Sequence, residues 1–95
     1  VPCAAAGSLM FTPDITLPAL KRMKSEYGEK IYLKYGFVDA FNPHNGWVNE
    51  DVIGIDLGIT LLSAENLRSG KNWYWFMQND EVLRGLKLAK VDIQP

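Results

Sequence analysis

The first clear pattern of apolar and polar positions follows Thr12. Apolar residues fall roughly on one side of a helix there, and charged residues fall on the other. The apolar positions are Ile15, Leu17, Leu20 and Met23. Thr12, Pro13 and Asp14 are residue types favoured at a helix start, so a helix is predicted to begin here and to end at Tyr27-Gly28.

Pro18 lies inside this predicted helix. A proline beyond the first turn removes an internal hydrogen bond. Two alternatives therefore stay open: the helix kinks at Pro18, or it begins near Leu17 with Thr16 as its cap.

A second stretch, from Asp51 to Arg68, is apolar on nearly all sides. One helix is predicted over Ile55–Arg68, buried on most of its circumference, with Gly58 allowing close backbone approach near its start. The leucines expected to be buried are Leu57, Leu61 and Leu62. At 100° per residue, Asp56 and Glu65 point in opposite directions and cannot form one carboxylate pair.

Two shorter helices are predicted toward the end of the chain, over Asn72–Met77 and from Glu81 to about Ala89, the latter capped by Asn79-Asp80. Residues 31–49 are rich in glycine, proline and aromatic residues, which predicts a long structured loop. No β-type alternation of any length occurs. The predicted fold class is therefore all-α.

The apolar surface of these helices exceeds what so few helices can cover. The helix predicted over Ile55–Arg68 is apolar on nearly all sides. A further apolar cluster consists of Trp73, Trp75, Phe76 and Met77. We therefore expect a piece of a larger helical protein. Trp73 and Phe76 lie three residues apart and are expected to contact a neighbouring helix rather than line a pocket.

Composition narrows the classes of function. The 95 residues allow one compact domain at most, and 47% hydrophobic with 22% charged residues is an ordinary globular balance. A net charge of −1 offers no excess positive charge for nucleic acid. The sequence contains neither an apolar run long enough for a membrane span nor a signal-peptide pattern. The start at Val1 indicates a processed or truncated chain.

Metal, cofactor and nucleophile chemistry have little support in the sequence. Cys3 is the single cysteine and His44 the single histidine, whereas zinc sites normally draw three or four protein ligands. We expect a structural thiol at Cys3 and a solvated loop histidine at His44. No cofactor and no metal site is predicted.

A different chemistry is indicated by Asp39, Asn42, Trp47 and Asp56. Carboxylates and amides bind sugar hydroxyls, and an indole face stacks on the C–H side of a pyranose ring. Glycosidases also use two carboxyl groups. Ordinary packing of the aromatic residues is the alternative at this point.

Several segments resemble the bacterial glycoamylase-like family in order and spacing. The most specific pair is Tyr35-Gly36-Phe37-Val38-Asp39-Ala40-Phe41-Asn42 and Gly54-Ile55-Asp56-Leu57-Gly58. The others are Ala4-Ala5-Ala6-Gly7-Ser8, Glu65-Asn66 and the stretch from Trp73 to Gly85. The family includes endo-β-1,2-glucanases and folds as an (α/α)6 toroid with a sugar cleft at one end of its inner helices.

The resemblance implies that residues 1–95 are the C-terminal quarter or so of one catalytic toroid, incomplete in this chain. It implies a glycoside hydrolase acting on a β-1,2-type glucan by inversion, located in the periplasm or secreted. The remainder of the barrel and an oligo- or polysaccharide are the implied partners. The principal catalytic acids would lie upstream.

Within the implied cleft, Asp56 is the candidate catalytic residue, in the first turn of a buried inner helix. A carboxylate near a helix N-terminus is stabilised as the anion, which suits a base or a hydroxyl-binding role. Asp39, Asn42 and Trp47 are the candidate substrate-binding residues, in a loop bounding the same cleft, with Trp47 accessible. A purely structural N-cap is the alternative for Asp56.

A second function also stays open. The chain is alternatively a non-catalytic helical module that binds carbohydrate or docks to a protein through the loop from Phe41 to Trp47. Such a module would fold and bind alone, whereas a toroid fragment would expose its apolar faces.

Overall fold

A computed structural model describes residues 1–92. The helices are α1 (Pro2–Gly7), α2 (Pro13–Ile31), α3 (Gly54–Ser69), α4 (Lys71–Met77) and α5 (Asp80–Leu88). The strands are β1 (Tyr32–Leu33), β2 (Gly36–Phe37), β3 (Ala40–Asn42) and β4 (Trp47–Asn49). The described part of the chain is therefore mostly helical.

Helix α2 begins after Thr12 as predicted, although the Thr12 hydroxyl donates to the Ser8 carbonyl at 3.3 Å and does not cap the helix. The helix runs through Pro18, so the alternative start near Leu17 is wrong. It also passes Gly28, the predicted end, and reaches Ile31. Ile31 is fully buried, and this tertiary burial outweighs the local stop signal of the glycine.

Helix α3 contains the predicted Ile55–Arg68 segment and ends at Gly70, whose φ of 68° is left-handed. The predicted burial of Leu57, Leu61 and Leu62 is wrong for this chain, since all three are exposed, Leu61 by 69%. The buried residues of α3 are instead Ser63 and Asn66. The described elements cover only one side of α3, and that side carries the polar residues.

The close backbone approach predicted at Gly58 occurs at Gly7 instead. A Cβ added to Gly58 would meet no atom of the described residues within 4 Å. A Cβ added to Gly7 would lie 3.1 Å from Cδ1 of Ile59. The close approach to α3 is thus made by α1, at the end of the small-residue segment that opens the chain.

Two antiparallel hairpins replace the predicted loop over residues 31–49. Strands β1 and β2 pair Tyr32 with Phe37, and β3 pairs with β4 in a register that includes Phe41 opposite Val48. Strands of two or three residues are too short to produce a visible alternation of apolar and polar positions. The all-α class is therefore corrected to a mostly helical fold with two small sheets.

Buried polar side chains hold the helices together. The Ser63 hydroxyl accepts a hydrogen bond from the Met10 backbone N–H at 3.1 Å. The Asn66 side-chain oxygen accepts from the Trp73 N–H at 3.0 Å and so joins α3 to the start of α4. Apolar burial is sparse among residues 1–92 and is contributed by Ala6, Leu9, Ile31 and Val38. The core therefore lies where α1 meets α2 and α3.

The last two helices follow the predicted bounds closely. Asn79 caps α5 by accepting a hydrogen bond from the Glu81 N–H at 3.0 Å. The Trp73 ring lies 5.6 Å from the ring of Phe11, which belongs to a turn and not to the expected neighbouring helix. Phe76 is largely exposed. No helix within residues 1–92 combines the length and apolarity needed to cross a membrane.

Candidate functional site

Asp56 lies in the first turn of α3, as predicted. Ile53, in extended conformation, occupies the N-cap position, so Asp56 is not the cap residue. The Oδ2 atom of Asp56 is buried and finds no hydrogen-bond donor among the described residues. A buried carboxylate oxygen without a donor is costly unless a proton or a ligand satisfies it.

Asp39 is held beside Asp56 by the base of the second hairpin. Its backbone N–H donates to the Asp51 carbonyl at 2.8 Å, and its Oδ2 accepts from the Asn49 side-chain amide at 3.1 Å. The preceding residue, Val38, is buried and donates its N–H to the Ile31 carbonyl at 2.8 Å. The position of Asp39 is therefore set by backbone pairing on both sides.

The carboxyl groups of Asp39 and Asp56 interact directly. A hydrogen bond to Asp56 raises the pKa of Asp39, and desolvation and the negative charge of Asp56 act in the same direction. The amide of Asn49 opposes this change. The proximity of Asp56 therefore favours the protonated form of Asp39.

A third titratable group, the Cys3 thiol of α1, adjoins this pair. Burial raises the pKa of Cys3, and the hydrogen bond to Asp56 and the negative charges of Asp56 and Asp39 raise it further. The thiol form is thus favoured over the thiolate, which is the reactive form of cysteine. This agrees with the structural role predicted for Cys3.

Asp56 lines a cavity of about 270 Å³ between α1, the first hairpin and α3. Its aromatic lining comes from Tyr32, Tyr35 and Phe37. Its remaining lining comes from Pro2, Cys3, Ala6, Gly36, Val38, Leu57 and Thr60. The two tyrosines were not among the predicted site residues. Tyr35 opens the same motif that ends in Asp39 and Asn42, which is the sequence signal that points to it.

Asn42 and Trp47 lie apart from this cavity. They pair across the second hairpin and line a separate hollow of about 70 Å³ with Tyr27 and Phe41. The prediction that Trp47 is accessible is confirmed, since 54% of the residue is exposed. The predicted set of four residues therefore divides into two pairs, Asp39 with Asp56 and Asn42 with Trp47.

Asn42 belongs to the turn at the tip of the second hairpin, whereas Asp39 lies at its base. Asn42 uses its side-chain oxygen to accept the His44 N–H at 3.0 Å, and Gly46 adopts a φ of 77°. His44 is exposed, as predicted.

Within residues 1–92, no group of three or more His, Cys, Asp and Glu side chains is arranged to hold a metal ion.

Comparison with known proteins gives a consistent result. Residues 1–80 match the Glycoamylase family model, described as "Putative glucoamylase". An exo-β-1,2-glucooligosaccharide sophorohydrolase (non-reducing end) from Parabacteroides distasonis is 31% identical over 86 residues, which are 90% of this chain and 12% of that protein. The chain therefore spans about an eighth of the length of this relative.

Two solved structures are also similar. An endo-β-1,2-glucanase from Chitinophaga pinensis, in complex with sophorotriose and glucose, is 38% identical with a TM-score of 0.82. The match covers 99% of this chain and 22% of that one. A putative glucoamylase from Bacteroides uniformis is 35% identical with a TM-score of 0.81, covering 90% of this chain and 21% of that one.

Proposed function

The chain belongs to the Glycoamylase family, and from this premise we propose that it forms one wall of the sugar cleft in a glycoside hydrolase acting on β-1,2-linked glucans. In this proposal, residues 1–95 are the C-terminal quarter or so of an (α/α)6 toroid. The observation that carries the proposal is the position of Asp56, which lines a cavity with three aromatic residues and lies beside Asp39. Carboxyl groups bind sugar hydroxyls, and aromatic rings contact the apolar faces of pyranoses.

The two carboxyl groups influence each other, since the hydrogen bond to Asp56 and its negative charge raise the pKa of Asp39. Glycosidases that cleave with two carboxyl groups place them on both sides of the scissile bond. In the proposal, Asp39 and Asp56 act together on one side of that bond, and the opposing acid belongs to another part of the parent enzyme.

Asp56 is the member of the pair that we assign to the reacting sugar. It lines the cavity, whereas Asp39 does not, and its Oδ2 has no hydrogen-bond donor among the described residues. Asp39 is tied to Asn49 and to the backbone, so it serves to position Asp56. This division suits an inverting reaction, in which a carboxylate base activates a water.

Asn42 and Trp47 have a separate role in the proposal. Their hollow lies at the tip of the second hairpin, with the Trp47 indole exposed. We assign them to a sugar unit of the glucan that is distant from the reacting one. The Trp47 ring offers a stacking face, and the Asn42 amide offers hydrogen-bonding groups.

The exposed apolar face of α3 supports the toroid part of the proposal. Ile55, Leu61 and Leu62 are mostly exposed, and a helix this apolar is stable in water only when other elements cover it. In the proposal, neighbouring helices of the parent barrel cover this face. The periplasmic or secreted location is part of the same proposal, and fractionation of cells expressing the tagged full-length protein tests it.

A substrate panel tests the proposed activity. The full-length protein that contains this chain is incubated with linear β-1,2-, β-1,3- and β-1,4-glucans, and released oligosaccharides are separated by chromatography. Release of products from the β-1,2-glucan alone is the expected result. Equal action on the three linkages, or no action on the β-1,2-glucan, contradicts the proposed substrate.

A further inference from the structure

Tyr35 lies in the turn of the first hairpin, directly before Gly36. Gly36 has a φ of 122°, and a Cβ added to it would lie 3.3 Å from Cδ2 of Leu57. The turn is therefore packed against the first turn of α3, next to Asp56. This contact joins the hairpin that carries Tyr35 to the helix that carries Asp56, and both residues line the same cavity.

Tyr35 differs from the other aromatic residues of the cavity in the contacts that its ring makes. The Tyr32 and Phe37 rings pack edge to face, with centroids 4.9 Å apart, and Lys24 Nζ lies 4.4 Å from the Tyr32 centroid. The Tyr35 ring pairs with no other ring of residues 1–92. Lys34 Nζ lies over it at 5.2 Å from the centroid, and 69% of the residue is exposed.

A lysine ammonium group therefore lies over one face of the Tyr35 ring, and most of the residue is exposed. An open aromatic face is the surface on which the C–H side of a glucopyranose ring packs, while the ring's hydroxyls point outward to hydrogen-bonding groups. Asp56, in the same cavity, supplies such a group. Trp47 cannot serve this sugar, because it lines the other hollow.

We propose that Tyr35 is the stacking platform for the glucose unit bound at Asp56, and that it is a substrate-binding residue of this enzyme. The inference rests on the proposed function, since it takes a glucan as the ligand. It gives the two aromatic residues different positions along the glucan. Tyr35 binds the glucose unit beside the carboxyl pair, and Trp47 binds a more distant glucose unit of the same glucan.

Calorimetric titration of the full-length protein with a linear β-1,2-glucooligosaccharide whose glycosidic oxygens are replaced by sulfur, so that it is not cleaved, tests this inference. Loss of the platform in Tyr35→Ala is expected to raise Kd about tenfold, the effect of losing about 1.4 kcal/mol of stacking. Tyr35→Phe keeps the ring and is expected to restore most of the affinity. Tyr74→Ala is the control, because Tyr74 is also exposed, by 62%, but belongs to α4 and lies outside the cavity.

The outcomes separate this inference from the proposed function. If the unmodified protein binds the oligosaccharide and Tyr35→Ala binds it with the same Kd, the Tyr35 assignment is overturned and the proposed function stands. If Tyr35→Phe loses as much affinity as Tyr35→Ala, the hydroxyl and not the ring face is responsible, which also overturns stacking. If the unmodified protein binds no glucan, both proposals fall. Melting curves of each variant show whether its fold is kept.

Discussion

Gly36 of the first hairpin packs directly against Leu57 of α3, and a Cβ atom at Gly36 would lie 3.3 Å from the Leu57 Cδ2. The contact joins the hairpin that carries Tyr35 to the helix that carries Asp56. The backbone φ of Gly36 is 122°, a value that residues with a side chain rarely adopt. The geometry of the cavity therefore depends on the absence of a side chain at this position.

Replacing Gly36 by alanine should destabilise the protein and weaken glucan binding together. Backbone strain of this kind costs about 1–3 kcal/mol, and the contact with Leu57 adds to it. Thermal unfolding of the full-length protein measures the effect. Gly46→Ala is the matched control: Gly46 also has a positive φ, 77°, but a Cβ there would meet no described atom within 4 Å. Equal losses of stability in Gly36→Ala and Gly46→Ala would show that the contact with Leu57 adds nothing to the cost of the Gly36 substitution.

The pKa of Asp39 should fall in the variant Asp56→Asn. The largest cause of the raised pKa is the hydrogen bond that Asp39 donates to the Asp56 carboxylate; the substitution weakens this bond and removes the negative charge at residue 56. Asn49→Ala should act in the opposite direction, because the Asn49 amide lowers the pKa of Asp39. Carbon NMR of selectively labelled aspartate carboxyls in the full-length protein follows both changes. An unchanged pKa of Asp39 in Asp56→Asn would mean that the two carboxyls do not interact.

The raised pKa of Asp39 also determines a pH dependence of stability. The folded state binds the Asp39 proton more tightly than the unfolded state, so this contribution is fully present below about pH 3.9, the ordinary value for Asp. It is lost as the pH rises through the higher folded-state value. Asp39→Asn has no carboxyl group to titrate at this position. As the pH rises from 4 to 7, its free energy of unfolding should therefore fall less than that of the unmodified protein. A larger loss in Asp39→Asn would contradict the direction assigned to the shift.

The sequence was informative where a local rule matched the tertiary structure. Asp56 was correctly placed in the first turn of its helix, and the predicted end of α3 at Arg68 lies one residue before the observed end at Ser69, because both depend on chemistry within a few residues. The end of α2 was missed because burial of Ile31 lies outside local sequence rules. The short hairpins were missed because two or three residues show no period.

The candidate site was predicted in part for a similar reason. Asp39 and Asn42 are near each other in sequence, but the hairpin places one beside α3 and the other at the far tip. Which side chains share a cavity is decided by strand pairing and by the Gly36–Leu57 contact, neither of which has a signal in composition. The motif from Tyr35 to Asn42 marks the region without specifying its geometry.

The isolated 95-residue chain should expose enough apolar surface to self-associate. Leu61, Trp75 and Phe76 are all more than half exposed, together with much of the rest of α3 and α4. Strong binding of an apolar fluorescent dye and a concentration-dependent mass in light scattering are the expected observations. A monomer that melts cooperatively and binds glucan alone would instead support the alternative of a self-sufficient carbohydrate-binding module.

The most direct test of the central claim is the rate of β-1,2-glucan hydrolysis by Asp56→Asn in the full-length protein. A positioned acid–base group contributes about 10²–10⁴-fold to the rate. We expect a fall of about 100-fold or more, with a melting temperature within a few degrees of that of the unmodified protein. An unchanged rate at an unchanged melting temperature would remove Asp56 from the site, and a large loss of stability would make its role structural.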